Sequence, residues 1–458
     1  MRSFRTAINR ASEMITGGTL RPGEPPLVRP RLPFLGHALA MGRDLVAVLR
    51  ACQLEHGDVF TLLVAGQRMT CILDPADFLP VLKAQDKLTF HEVGETFGSR
   101  VFGYEPLPAG PGLDEVVGLY NLHLKHAALD TLTARMDARL RAAMDRFAGD
   151  AWQGDELFAF TARCMFTAGV ETLFGGDIDD RYLADFRRLD RWFALIASGA
   201  PDLLFPGVRR ARDCIRARVS VAHAEASAFI RAREVSLDRI TSRRNRDHYQ
   251  VAILWASQAN TVPAAFWSLA HVLAHPDARA AVVDELAVHG VGEISRLRVL
   301  QSCIDETLRL RSDSLTLRLV QRDCDLALAG GRSMTLRAGD RVALCPQITH
   351  GDPEVFADPE CFRFDRFLAD DGPRQFTKRG KRVPIPLMPY GGGVSMCPGR
   401  FFANNEVLQF VGLALTCLDI ELTGPGPLPS HDKRRAGLGV PPPTREVPCR
   451  IRRRLRPH

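Results

Sequence analysis

The chain has 458 residues, 46% of them apolar and 25% charged, with a net charge of +7. That composition is ordinary for a globular protein and excludes a disordered, collagen-like or disulfide-stapled chain. The basic balance suits an acidic protein or an anionic surface, or reflects arginine-rich usage such as Arg450, Arg452, Arg453, Arg454 and Arg456 near the C-terminus, and no nucleic-acid-binding motif accompanies it.

In chain order, residues 4–16 form at most a weak amphipathic helix. Arginines interrupt the N-terminus, and a membrane span needs about 20 apolar residues, so we expect no N-terminal anchor and a cytoplasmic protein. Pro22, Pro25, Pro26, Pro30 and Pro33 mark residues 1–34 as an extended lead-in. Residues 58–63 and 69–73 read as a strand pair joined through Ala65-Gly66-Gln67. Helical periodicity dominates 115–235, broken at Gly175-Gly176 and between Pro201 and Pro206. Residues 247–290 read as one long apolar helix and a shorter one, parted near His275-Pro276. An amphipathic helix follows at 296–310, then strands at 315–329 and 334–344, an irregular stretch at 350–390 and a last helix at 399–418. The fold class is mainly α with small β-sheets (α+β), one domain over 35–458. Eleven cysteines without CxxC spacing read as free thiols; Cys164, Cys303, Cys345 and Cys417 sit in apolar stretches and are expected in the core.

Chemistry concentrates at Tyr390-Gly391-Gly392-Gly393-Val394-Ser395-Met396-Cys397-Pro398-Gly399-Arg400. The glycines imply a tight approach of backbone to something flat. The helix beginning after Gly399 turns N–H groups toward the sulfur, which favours the metal-ligating thiolate. An aromatic residue seven before the cysteine (Tyr390), Gly393 four before, Gly399 two after and Ala403 six after resemble the haem-binding loop of cytochromes P-450. Relatives usually carry Phe where Tyr390 stands, and often a basic residue where Ser395 stands.

The resemblance runs from residue 32 to the segment RAGLGVPPPTREV that begins at 435. It implies the cytochrome P-450 fold, haem b with Cys397 as its axial thiolate ligand, and Tyr390, Gly391, Gly393, Ser395 and Gly399 around the cofactor. Glu306 and Arg309 match the family's ExxR pair, and Arg366 in FRFDRF matches the arginine that joins it, so the three are expected to form a structural network. Arg318 matches a propionate-binding position, and His126 is either a second propionate contact or a solvated histidine. Along WASQANTVPAAFW, Ala259 stands where the family has an acid and Asn260 where it has Thr. Pro263 has no N–H, so the Ala259 carbonyl loses its helical partner, and we expect a kink beside Asn260 where a water or an oxygen molecule can lodge. Asn260 is the expected catalytic polar group. Phe97, Val101, Trp255, Ala256, Asn260, Ser314, Leu315 and Leu438 are the expected substrate contacts.

The local strings are most similar to bile-acid-type sterol hydroxylases and prostacyclin synthase, in a soluble, bacterial form. One reading is a monooxygenase acting on a steroid or related lipid, using O2 and electrons from a ferredoxin and ferredoxin reductase, working as a monomer. The other is an electron-independent isomerase or dehydratase of a fatty-acid endoperoxide or hydroperoxide. A non-enzymatic haem sensor is a third class, which the long apolar helix and the space for a substrate disfavour.

Overall fold

The computed structural model describes residues 18–30, 32–221, 223–435 and 437–454. The helix expected over 4–16 lies outside them. Short polar side chains start several helices: Asp44, Asp179, Ser227 and Ser242 each accept a bond from the backbone N–H three residues on. Eight helices bear on the site: α1 (His91–Phe102), α2 (His126–Phe147), α3 (Leu157–Leu173), α4 (Asp180–Ala197), α5 (Arg243–Gln258), α6 (Thr261–Ala274), α7 (Arg298–Arg311) and α8 (Arg400–Cys417). Helix α6 is buried from Thr261 to Val272, which is why its sequence is apolar all round. It packs against α3, α7 and α8 in the largest apolar cluster.

The main sheet holds β1 (Val59–Val64), β2 (Gln67–Ile72), β3 (Leu88–Thr89), β4 (Thr316–Val320) and β5 (Arg341–Leu344), in the order β1-β2-β5-β4-β3. Within this order β2 and β5 pair in parallel and the other neighbouring strands antiparallel. The β1–β2 hairpin turns on Ala65 (φ 48°) and Gly66 (φ 76°), the doubly left-handed turn that suits two twisted strands. The proline-rich lead-in lies on this sheet: Val28 donates to Thr61 O, and Thr61 donates to Pro26 O.

Several expectations change. The strands expected at 315–329 and 334–344 are four shorter ones, because Cys324–Ala327 and Ser333–Leu336 pair separately as a hairpin. The single helix expected from 247 is two helices, parted at Ala259-Asn260. The break belongs there because Pro263 offers the Ala259 carbonyl no N–H. All eleven cysteines are free; Cys164, Cys303 and Cys345 are buried, whereas Cys417 is half-exposed near Arg141.

Candidate active site

Cys397 sits at the bottom of a cavity of about 280 Å³ enclosed by the α5–α6 break, the start of β4, the 390–397 loop, α8 and the loop 437–440. The glycines act through close contacts. A Cβ on Gly392 would lie 2.6 Å from Leu82 Cδ1, and one on Gly393 3.1 Å from Leu82 O, so these two pack the loop onto Phe78–Lys83. Gly391 (φ 69°) faces the cavity. Of the three glycines Gly391 is the one that lines the cavity, and the neighbour of Gly392 and Gly393 is protein. The Cys397 N–H donates to Tyr390 O at 3.0 Å, closing the loop. Burial pushes the Cys397 thiol up, while the backbone N–H groups of Gly399 and Arg400 and the Arg400 charge pull it down. The helix start thus lowers the thiol pKa as expected, and burial outweighs it. A coordinated cation would reverse the balance, since a ligating thiol is deprotonated.

Behind this loop lies a buried polar network. Glu306 accepts from Arg309 Nε (2.7 Å) and Nη2 (2.9 Å) and from Arg366 Nε (2.8 Å), and all three side chains are no more than 5% exposed. Arg366 also donates to Ala357 O and Cys361 O, binding the irregular segment. Arg309 Nη1 donates to His350 O, and His350 Nε2 accepts from the Met388 N–H at 3.2 Å. Burial and the Arg309 charge push His350 down to about 3, so the ring is neutral and Nε2 is free to accept. Through Met388 the network reaches the strand of chain that carries Cys397.

The chemistry of the donors fits a haem. Arg318 is buried in the cavity wall and donates to Leu317 O and Gly392 O, both at 2.8 Å. Burial pulls its pKa down. Among the described residues it has no carboxylate in ion-pair contact. A buried cation facing a cavity without a counter-ion suits an anionic group such as a propionate. Thr316 Oγ1, in the same wall, is buried and has no partner among the described residues.

The structure brings Ala256, Asn260, Ser314, Leu315 and Leu438 to the cavity, together with Arg318, Tyr390, Gly391, Ser395 and Cys397. It does not bring all the expected residues there. Trp255 stacks on Phe193 (3.9 Å between centroids, 6°) and donates its indole N–H to Asp190 Oδ1 at 2.9 Å, so the ring is turned off the cavity. Val101 is fully buried in the core, and Phe97 packs against that core near Arg341. The aromatic group of this region that lines the cavity is Phe90. Gly393 and Gly399 shape the loop without lining the cavity, and His126 is exposed at the start of α2 with φ 52°, away from it. The Ala259 carbonyl is not free either: Arg435 Nη1 donates to it at 3.3 Å. Sequence reasoning missed Phe90, Ala264, Val440 and the pair Asp190–Arg435.

Residues 226–449 match the family model for cytochrome P450. The rabbit (Oryctolagus cuniculus) 7-alpha-hydroxycholest-4-en-3-one 12-alpha-hydroxylase is 35% identical, with 95% of this chain and 94% of that one covered. The chain belongs to the cytochrome P450 family. Human prostacyclin synthase is 34% identical over 96% of this P450 and 95% of its own length. The retinoic acid-bound cyanobacterial CYP120A1 shares the fold at a TM-score of 0.74 and 20% identity, covering 94% of this chain and 99% of its own. As a P450 monooxygenase the chain carries haem b on a cysteine thiolate and uses O2. Among its described residues no helix is long and apolar enough to cross a membrane.

Proposed function

We propose that this P450 hydroxylates a sterol or closely related lipid, with Cys397 as the haem ligand and electrons from an acidic ferredoxin-type protein and its reductase. The observation that carries the reading is the cavity wall. Above Cys397 it is built mainly of apolar groups, including Phe90, Ala256, Ala264, Leu315 and Leu438, with the polar Asn260 at the helix break. Such a wall suits a large apolar skeleton bearing few oxygens. The bound haem supplies reductive activation of dioxygen, with one atom going to substrate and the other to water. The chain's own part is to hold the substrate and dispose of bulk water. Leu315 and Leu438 pack the apolar skeleton, and Asn260 offers the polar contact that an acid at 259 would otherwise provide. Arg318 and Ser395 are the proposed propionate contacts, and Glu306, Arg309 and Arg366 hold the thiolate loop. The partner's docking face is proposed around Val394, Met396 and Phe401, exposed on either side of Cys397, where Arg400 lies 4.2 Å from the Phe401 ring. The net charge of +7 favours an acidic partner.

The test is reconstitution with ferredoxin, its reductase and a reduced nicotinamide, scanning sterols and fatty-acid peroxides. A hydroxylated sterol formed only with electrons present is the expected product, and Cys397→Ser abolishes it together with the thiolate-type ferrous carbonyl band. Turnover of an endoperoxide without any electron source would replace this reading with the isomerase one.

A further inference from the structure

The α5–α6 break is held by two residues that no motif of the family points to. Pro263 cannot donate to the Ala259 carbonyl, and the donor that takes its place is Arg435 Nη1 (3.3 Å), 176 residues away in sequence. The same Nη1 donates to Asp190 Oδ2 at 2.6 Å, and Asp190 Oδ1 accepts the indole N–H of Trp255, one turn before Ala259. The pair is largely out of water, with side chains 7% and 17% exposed. Beyond Arg435 the chain runs through Gly437 to Val440 along the cavity wall. There the Val440 N–H donates to Asn260 Oδ1 at 3.1 Å. Gly439 (φ 104°) lies so close that a Cβ would meet Asn260 Oδ1 at 2.3 Å. Its carbonyl accepts from Asp313 N at 2.7 Å, fixing the loop on its other side.

A backbone N–H can only donate, so the atom of Asn260 facing Val440 is the oxygen. The group left to the cavity is the amide NH2, a donor. A hydroxyl at that place would both donate and accept.

We propose that Asp190 and Arg435 are positioning residues for the distal side of the cavity: anchored by Asp190, Arg435 holds the helix break at Ala259 and the loop 437–440, and so fixes Asn260 as a donor-only group that recognises an acceptor oxygen of water or substrate. The proposal rests on the reading that the cavity above Cys397 is the reaction chamber.

The test uses the holoenzyme and two readouts, the infrared C–O stretch of the ferrous carbonyl complex and the spectral Kd for 7-alpha-hydroxycholest-4-en-3-one. In Arg435→Met and in Asp190→Asn the C–O band is expected to shift or split and Kd to rise about tenfold, the scale of one lost hydrogen bond, while the thiolate-type absorption persists. Pro263→Ala returns an N–H to the Ala259 carbonyl. In that background Arg435→Met is expected to raise Kd less than about threefold, a coupling that a residue serving only global stability would not show. Wild-type band and Kd in Arg435→Met, or effects that simply add in the Pro263→Ala background, would overturn the proposal. If Arg435→Met fails to take up haem, Arg435→Lys, which keeps a charge opposite Asp190, is expected to take it up with an altered C–O band. Failure of both variants to load makes the pair a folding element and also overturns it. The underlying reading fails differently: Cys397→Ser would then retain the wild-type carbonyl spectrum.

Discussion

Glu306→Gln is the sharpest test of how the thiolate loop is held. Glu306 is fully buried and accepts bonds from Arg309 Nε and Nη2, Arg366 Nε and the Arg363 N–H. Glutamine keeps the shape but supplies one acceptor oxygen and turns an NH2 toward a guanidinium, leaving two buried cations without their counter-ion. Breaking one buried ion pair costs about 3–5 kcal/mol, and two arginines sharing one carboxylate place this change near the upper end, about 5 kcal/mol. With about 2.1 cal/mol/K of unfolding entropy per residue, 458 residues give about 1 kcal/mol/K, so the melting midpoint falls by about 5 °C. The local effect is larger than the global one. The route from Arg309 through His350 to Met388 loosens, and haem is lost from the thiolate site on dilution. Differential scanning calorimetry and the ferrous carbonyl spectrum after gel filtration read the two effects. The exposed pair Glu421–Arg450 is the control, because both side chains are about half exposed. Glu421→Gln should cost at most about 1 kcal/mol and leave haem retention unchanged. An unchanged midpoint with full haem retention in Glu306→Gln would refute the claim that this network positions the loop.

Three further outcomes follow from contacts at and behind the cavity. Gly439→Ala forces a left-handed backbone on a residue with a Cβ and drives that Cβ into Asn260. A cost of about 2–4 kcal/mol and a sterol Kd raised at least about tenfold are expected, by thermal melting and spectral titration. Phe90→Leu is expected to weaken sterol binding several-fold while Phe97→Leu leaves it within about twofold, because only Phe90 lines the cavity. Equal effects at both positions would refute that geometry. Asp313 is pushed up by burial to about 7, from an ordinary carboxylate value of 3.8. Its native-state pKa exceeds the unfolded one, so its contribution to stability is complete below about pH 4 and lost as pH rises through about 7. A three-unit shift is worth about 4 kcal/mol at most. Asp313→Asn is therefore expected to flatten the stability profile between about pH 4 and 7 and to raise stability at pH 8, measured by denaturant titration across pH.

What the sequence made legible has a common character. The Cys397 loop, the Glu306–Arg309 pair and Arg366 are short strings whose spacing carries their meaning, and each matches a motif of the family. Long apolar runs likewise announced α6 and α8, since burial on every side leaves a compositional trace. The contacts that escaped are those made by a single atom across a long stretch of chain. Pro263 announced that a carbonyl would be orphaned, yet its new partner, Arg435, lies in a run of basic residues with nothing to distinguish it from Lys433 or Arg434, which are exposed. Gly392 and Gly393 read as close-packing residues, but the packing partner Leu82 is more than three hundred positions earlier. Trp255 lies on the segment that borders the cavity but turns its ring away from it, because an indole follows its N–H to a buried acceptor, and Asp190 arrives from α4. Asn260 shows the limit most clearly. Its amide has an accepting end and a donating end, and residue identity does not say which faces the cavity. The Val440 N–H decides it, and that N–H is delivered by a loop whose shape depends on Gly439 lacking a side chain and on Arg435 being held by a carboxylate 245 residues away.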